Sequence, residues 1–150
     1  MKKKSIIFVC TGNTCRSPMA EVILKNKLKF AGITDIKVLS AGLAAADGDK
    51  MSKNSALALK QLGYKATGFK SRKLTREMVE KATMVICMTA SHKFHLLGFE
   101  NVYTVSELTG LNDVTDPFGG SLAVYMETSR QLEDAFNIIL NKILTVKGEN

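Results

Sequence analysis

"SIIFVCTGNTCRSPMAEVILKNKL", residues 5–28, carries three patterns in direct succession. Residues 5–9 are a short apolar run without alternation, as expected for a parallel strand covered on both faces. Residues 10–16 are polar, with Gly12 and Asn13 in their middle, and read as a tight loop. Ser17 is placed to cap a helix and Pro18 to open it, because the first helical residue has no use for its N–H. Ala20, Ile23, Leu24 and Leu28 then share one helical face. Strand, loop and helix in this order predict an α/β unit.

The alternation continues along the chain. "IKVLSAG" (36–42) reads as a second strand ending near Ser40, and Met51, Ser55, Leu59 and Leu62 line a helix closed by Gly63. Thr75 is placed to cap a further helix with Glu77 in its first turn, favourable at the positive end of the dipole. "TMVICM" (83–88) and "NVYTV" (101–105) supply the third and fourth strands, and Leu132, Phe136, Ile139, Leu140 and Ile143 fall at helical spacing in a long C-terminal helix. The expected fold is a single-domain three-layer α/β sandwich over residues 1–150, a four-stranded parallel sheet flanked by helices. In such sheets ligands bind beyond the carboxyl ends of the strands, where the loop from Cys10 to Ser17 lies.

Bulk properties narrow the function. The chain has 150 residues, a net charge of +7 and three cysteines. The basic residues are scattered, with Lys2–Lys4 the only run, and no basic stripe is interleaved with aromatics. This points to an anionic substrate drawn in by a positive field and not to nucleic acid. Lys2–Lys4 themselves read as a solvated terminus. The apolar run after them is too short for a signal peptide, and no stretch is long and apolar enough to cross a bilayer. An odd number of cysteines without a secretion signal predicts a reducing cytoplasm, where thiols serve chemistry or packing.

Cys10 and Cys15 admit three readings. A zinc site would have to gather Cys87, His92 or His95 from distant elements, and a structural Cys10–Cys15 disulfide suits an oxidising compartment, although reversible pairing stays open. A nucleophile with an anion cradle accounts for more residues and calls for no metal or cofactor. Hydrolysis at phosphorus is slow because the phosphoryl oxygens already carry negative charge, so a site needs a strong nucleophile, many N–H donors and a fixed cation. Cys10 supplies the nucleophile. Thr11, Gly12, Asn13, Thr14 and Cys15 supply backbone N–H groups, and Arg16 supplies a planar fork for two oxygens. The helix opening at Pro18 adds its positive end, which together with Arg16 favours the thiolate of Cys10. Ser17 has two compatible roles, as the helix cap or as a hydrogen-bond donor to the Cys10 sulfur. Asn13 tolerates the left-handed backbone that a curled anion loop demands.

"VCTGNTCRSPMAE" (9–21) resembles the signature of the low-molecular-weight protein tyrosine phosphatase family, and "DPFGG" (116–120) resembles that family's second motif. The likeness extends through "SAG" (40–42) and "CMTASHK" (87–93). The resemblance implies a phosphocysteine formed on Cys10, a phosphoryl clamp at Arg16, and Asp116 as general acid and then base, with Asp113 the competing carboxylate three residues away. It implies phosphoproteins as substrates and inorganic phosphate as product. It further implies that Ser40 supports Asn13, that Cys15 pairs with oxidised Cys10 to protect it, and that Phe118 walls the cleft, the alternative for Phe118 being a loop anchor on the core. Pro117 stiffens the chain behind Asp116.

There are three departures from the family pattern, two of which bear on substrate. Phe69 stands where many members have a supporting histidine, Phe118 is followed by Gly119 where tyrosine-specific members often carry a second aromatic, and Thr14 replaces an aliphatic residue. Together "CTGNTCRSP" and "DPFGGS" resemble the bacterial protein-arginine phosphatase branch, in which threonine at the Thr14 position accompanies phosphoarginine. A polar wall and a nearby carboxylate suit a cationic guanidinium. Phosphotyrosine is the alternative substrate. Arsenate reduction would need further thiols beyond Cys87, for which core packing is expected. A silent phosphoprotein-binding module would have lost Cys10, Arg16 or Asp116. For His92 and His95 surface or cap roles are expected, the alternative being that one of them lines the cleft, and for Tyr125 helix packing and not a regulatory site.

Overall fold

A computed structural model describes residues 4–66 and 68–148, the side chains of 145–148 excepted; Lys2 and Lys3 of the basic run lie outside the described residues. The elements follow in the order β1 (Lys4–Cys10), α1 (Arg16–Phe30), β2 (Ile36–Gly42), α2 (Lys53–Gln61), α3 (Arg76–Lys81), β3 (Met84–Cys87), α4 (Ala90–Phe94), β4 (Val102–Thr104), α5 (Val105–Thr109) and α6 (Leu122–Gly148). The strands make one parallel sheet in the order β2-β1-β3-β4. From β1 the chain goes to β2 on one side and then to β3 on the other. The loops therefore part above the carboxyl end of β1, which is where a crevice opens in sheets of this kind.

The unbroken apolar run of β1 is explained by its two neighbours. Successive side chains leave opposite faces of a strand: Ile6, Phe8 and Cys10 enter the larger core with Met19, Ile23, Leu59 and Phe136, while Ile7 and Val9 enter the second with Val79, Val85 and Val102. Phe8 stacks on Phe136 of α6 with centroids 5.0 Å apart. Helices α1, α2 and α6 cover the first face and α3 the second, giving three layers.

Several boundaries differ from the sequence reading. α1 begins at Arg16 with Cys15 as N-cap and no side-chain cap bond, so Ser17 is a buried helical residue and not the cap. Its hydroxyl is spent elsewhere, as described below. Met51 precedes α2, whose N-cap is Ser52, and Gly63 takes φ 87° just beyond its end. Thr75 caps α3 as expected, accepting from Met78 N at 3.2 Å. The fourth strand stops at Thr104, because Thr104 and Glu107 form a reciprocal capping box that turns Val105 into the start of α5. No helix among the described residues is long and apolar enough to cross a membrane.

Candidate active site

The loop between β1 and α1 is curled around Asn13, which takes φ 55° and is fully buried. All its side-chain polar groups are used: Oδ1 accepts from the Arg72 backbone N–H at 2.9 Å, and Nδ2 donates to Ser17 Oγ at 2.8 Å and Ser40 Oγ at 2.9 Å. Ser40 in turn donates to Glu21 Oε1 at 2.7 Å, and Glu21 Oε2 accepts from Lys25 at 2.7 Å. A left-handed non-glycine residue costs about 1–3 kcal/mol and persists only where its surroundings overdetermine it, as they do here. Ser17 Oγ also lies 2.8 Å from Cys10 Sγ. When Cys10 is a thiolate it can only accept, so the Ser17 hydroxyl hydrogen points at the sulfur. The loop is thus tied to the Arg72 backbone and, through Ser40, to Glu21, while half-buried Phe69 makes no hydrogen bond from its side chain and lines a neighbouring hollow with Glu21, Lys25 and Arg72.

Close packing against β2 holds the loop from behind. Leu43 N donates to Cys10 O at 3.0 Å and Ala44 N to Thr11 O at 2.9 Å. Gly42 lies directly under the loop: a Cβ there would come within 2.6 Å of Thr11 O and 2.9 Å of Asn13 N. Both are backbone atoms, so relief requires the loop itself to move. Gly42→Ala is expected to lower stability by about 1–3 kcal/mol and to impair turnover beyond what that loss explains. Thermal unfolding and steady-state kinetics on one preparation check this, and an unchanged Tm with unchanged kcat would show that the loop is not held against Gly42.

A cleft of about 290 Å³ opens over the loop, lined by Cys10, Thr11, Gly12, Thr14, Cys15, Arg16, Asp116 and Phe118. Arg16 is buried, and its Nη1 donates to Val114 O at 3.2 Å. Its Nη2 lies 3.7 Å from Asp116 Oδ2, a loose pair whose carboxylate is half exposed to the cleft. Asp116 Oδ1 accepts from Phe118 N at 3.1 Å, which closes the turn at Pro117. Asp113 is engaged elsewhere, accepting from Ala90 N at 3.1 Å, and does not line the cleft. Phe118 is 81% exposed at the cleft mouth, so it is not a core anchor.

The three thiols are free. Cys15 Sγ lies 3.4 Å from the buried Tyr125 hydroxyl and 3.7 Å from Ser52 Oγ. Burial, and then the bond with Cys15, raise the Tyr125 phenol above its usual range. Cys87 is fully buried in β3, and burial pushes its thiol up to about 12, which suits packing and not a thiol relay. Among the described residues no group of three or more His, Cys, Asp or Glu side chains is arranged to hold a metal ion.

The expected site residues converge, but the sequence reading left out part of what holds them. Glu21 is a carboxylate between the buried Ala20 and Val22, one helical turn after Ser17, a spacing that already marked it as paired inside. Gly42 sat in the matched "SAG" without a role. His92 takes the cap role of its two expected ones, being buried at the start of α4, and its Nε2 lies 3.1 Å from Thr11 Oγ1, a contact that was not expected. Its pairing with a loop 81 residues away had no local signal.

Comparison with known proteins agrees with this geometry. Residues 5–148 match the model of the family described as low molecular weight phosphotyrosine protein phosphatase. The chain is 40% identical to a protein-arginine-phosphatase of Bacillus subtilis, over 86% of this chain and 89% of the relative. It is 36% identical to the low molecular weight protein-tyrosine-phosphatase PtpB of Staphylococcus haemolyticus, over 85% and 91% respectively. The solved structure of the YwlE arginine phosphatase from Geobacillus stearothermophilus superposes with a TM-score of 0.89 at 35% identity, covering 98% of this chain and 97% of that one. With the loop from Cys10 to Arg16, the Asp-Pro turn and the sheet order all in place, the chain belongs to the low molecular weight phosphotyrosine protein phosphatase family.

Proposed function

We propose that this phosphatase hydrolyses phosphoarginine on proteins, with Cys10 as nucleophile, Arg16 and the backbone N–H groups of residues 11–17 as the phosphoryl cradle, and Asp116 as general acid and base. The observation that carries this reading is the single cleft onto which Cys10, Thr14, Arg16 and Asp116 all open. Cys10 attacks phosphorus while Asp116 gives a proton to the departing nitrogen, releasing the arginine side chain and leaving phosphocysteine. Asp116, now a carboxylate, takes a proton from water, which attacks the phosphocysteine and releases inorganic phosphate. Ser17 donates to the sulfur both as thiolate and as leaving group. Cys15, on the same loop, serves as the partner that pairs with an oxidised Cys10. The odd number of cysteines, three, supports a reducing, cytoplasmic setting.

Two features support phosphoarginine over phosphotyrosine. Thr14 lends a half-buried polar wall to the cleft, and exposed Asp116, while one oxygen holds the proton for the departing nitrogen, can accept from a guanidinium N–H with its other oxygen. Exposed Phe118 favours the second reading, since an aromatic wall also suits a phenol. Comparison of kcat/KM for phosphoarginine and phosphotyrosine peptides on the same reduced enzyme tests the choice: a ratio favouring phosphotyrosine would overturn the arginine reading. Thr14→Ile is expected to move that ratio toward phosphotyrosine by on the order of tenfold, the size of one lost polar contact. An unmoved ratio would remove Thr14 from specificity.

A further inference from the structure

We propose that His92 is a positioning residue for the phosphoryl site: its ring, fixed by the cap of α4, donates from Nε2 to the Thr11 hydroxyl and walls the Arg16 guanidinium. The proposal rests on the phosphatase reading above and adds to it a residue outside the loop and the Asp-Pro turn.

The tautomer follows from the cap. Nδ1 lies 3.2 Å from the Thr89 backbone N–H, which can only donate, and 3.1 Å from Thr89 Oγ1, which already accepts from His92 N and can turn its own hydrogen to the ring; we therefore assign Nδ1 as acceptor and the proton of a neutral ring to Nε2. That N–H meets Thr11 Oγ1 at 3.1 Å. Thr11 therefore receives its hydrogen bond from behind, and its own hydroxyl hydrogen is left for the cleft that it lines. Arg16 Nη2 stands 3.5 Å from the same ring nitrogen. At that distance, the limit for a hydrogen bond, the ring edge flanks Nη2, while Nη1 is tied to Val114 O.

The arrangement demands a neutral ring. The charged groups acting on His92 are Arg16 from α1, Asp113 and Asp116 from the segment before α6, and His95 at the end of α4. Burial, and then Arg16, push the imidazole down to about 4, with the two carboxylates opposing. At neutral pH no second cation stands beside Arg16.

Three substitutions separate positioning from capping. His92→Gln keeps an acceptor for Thr89 N and an amide N–H for Thr11, as a capping-box glutamine does. His92→Glu keeps the cap acceptor but offers no donor, and His92→Ala loses both. Two readouts are taken on each: kcat/KM for p-nitrophenyl phosphate, and the concentration of inorganic phosphate that half-protects Cys10 from iodoacetamide. His92→Ala and His92→Glu are expected to lose on the order of 10- to 100-fold in kcat/KM, the cost of a slightly misplaced site, and to need on the order of tenfold more phosphate. His92→Gln stays within about threefold of the parent in both. Equal behaviour of the Glu and Gln variants, or unchanged phosphate protection in folded His92→Ala, would overturn the proposal and leave the phosphatase reading standing. A parent enzyme that hydrolyses no phosphoryl substrate would instead overturn that reading, with phosphate protection still reporting on His92.

Discussion

Cys10→Ser is expected to abolish turnover, with kcat falling on the order of 10⁴-fold or more, while the protein keeps its fold and its affinity for phosphate. The sulfur sits at the end of β1, 2.8 Å from Ser17 Oγ, on the floor of the cleft. A serine hydroxyl preserves the hydrogen bond and nearly the volume, so packing survives. It does not preserve reactivity, because an unassisted hydroxyl holds its proton at neutral pH, and no base stands beside it: Asp116 pairs with Arg16 across the cleft and His92 is committed to Thr89 and Thr11. Steady-state hydrolysis, with thermal unfolding as control, checks the outcome. Turnover within tenfold of the parent in a folded Cys10→Ser variant would remove Cys10 from the chemistry.

Asp116→Asn carries the second large effect, and its signature is a dependence on the leaving group. An asparagine fills the same space and still accepts from Phe118 N, but it has no proton to give to a departing alkoxide or nitrogen. Loss of a general acid costs about 10²–10⁴-fold, and that range is expected for poor leaving groups such as phosphoarginine or phenyl phosphate. p-Nitrophenolate departs without protonation, so with p-nitrophenyl phosphate the first step is nearly spared. The second step still needs a base to activate water, and phosphocysteine should accumulate. Equal losses across a series of leaving groups would assign Asp116 to binding, through its pair with Arg16, and not to proton transfer.

The reach of the sequence is clear at particular residues. β1 was legible because buried parallel strands carry unbroken apolar runs, and the loop because an anion cradle accounts for more of its cysteine, glycine, asparagine and arginine than a metal site or a disulfide does. The mistaken cap at Ser17 has a physical source. A serine before Pro18 suits a helix start, yet here the tertiary demand of Cys10 and Asn13 outbids the local one. The short helix α5 escaped notice because its five residues depend on a capping box and not on periodicity. Contacts of long sequence separation were illegible in principle: Arg72 N to Asn13, Tyr125 to Cys15 and His92 to Thr11 join segments that only the folded sheet brings together.

The covalent phosphoenzyme is the most direct test of the mechanism. Asp116→Asn would be mixed with excess p-nitrophenyl phosphate, quenched in acid within the first turnover, and the peptide carrying Cys10 weighed. The account predicts a burst of about one nitrophenol per enzyme and a mass increase of one phosphoryl group on Cys10. Continued turnover without a burst, or a phosphoryl group on another residue, would contradict it.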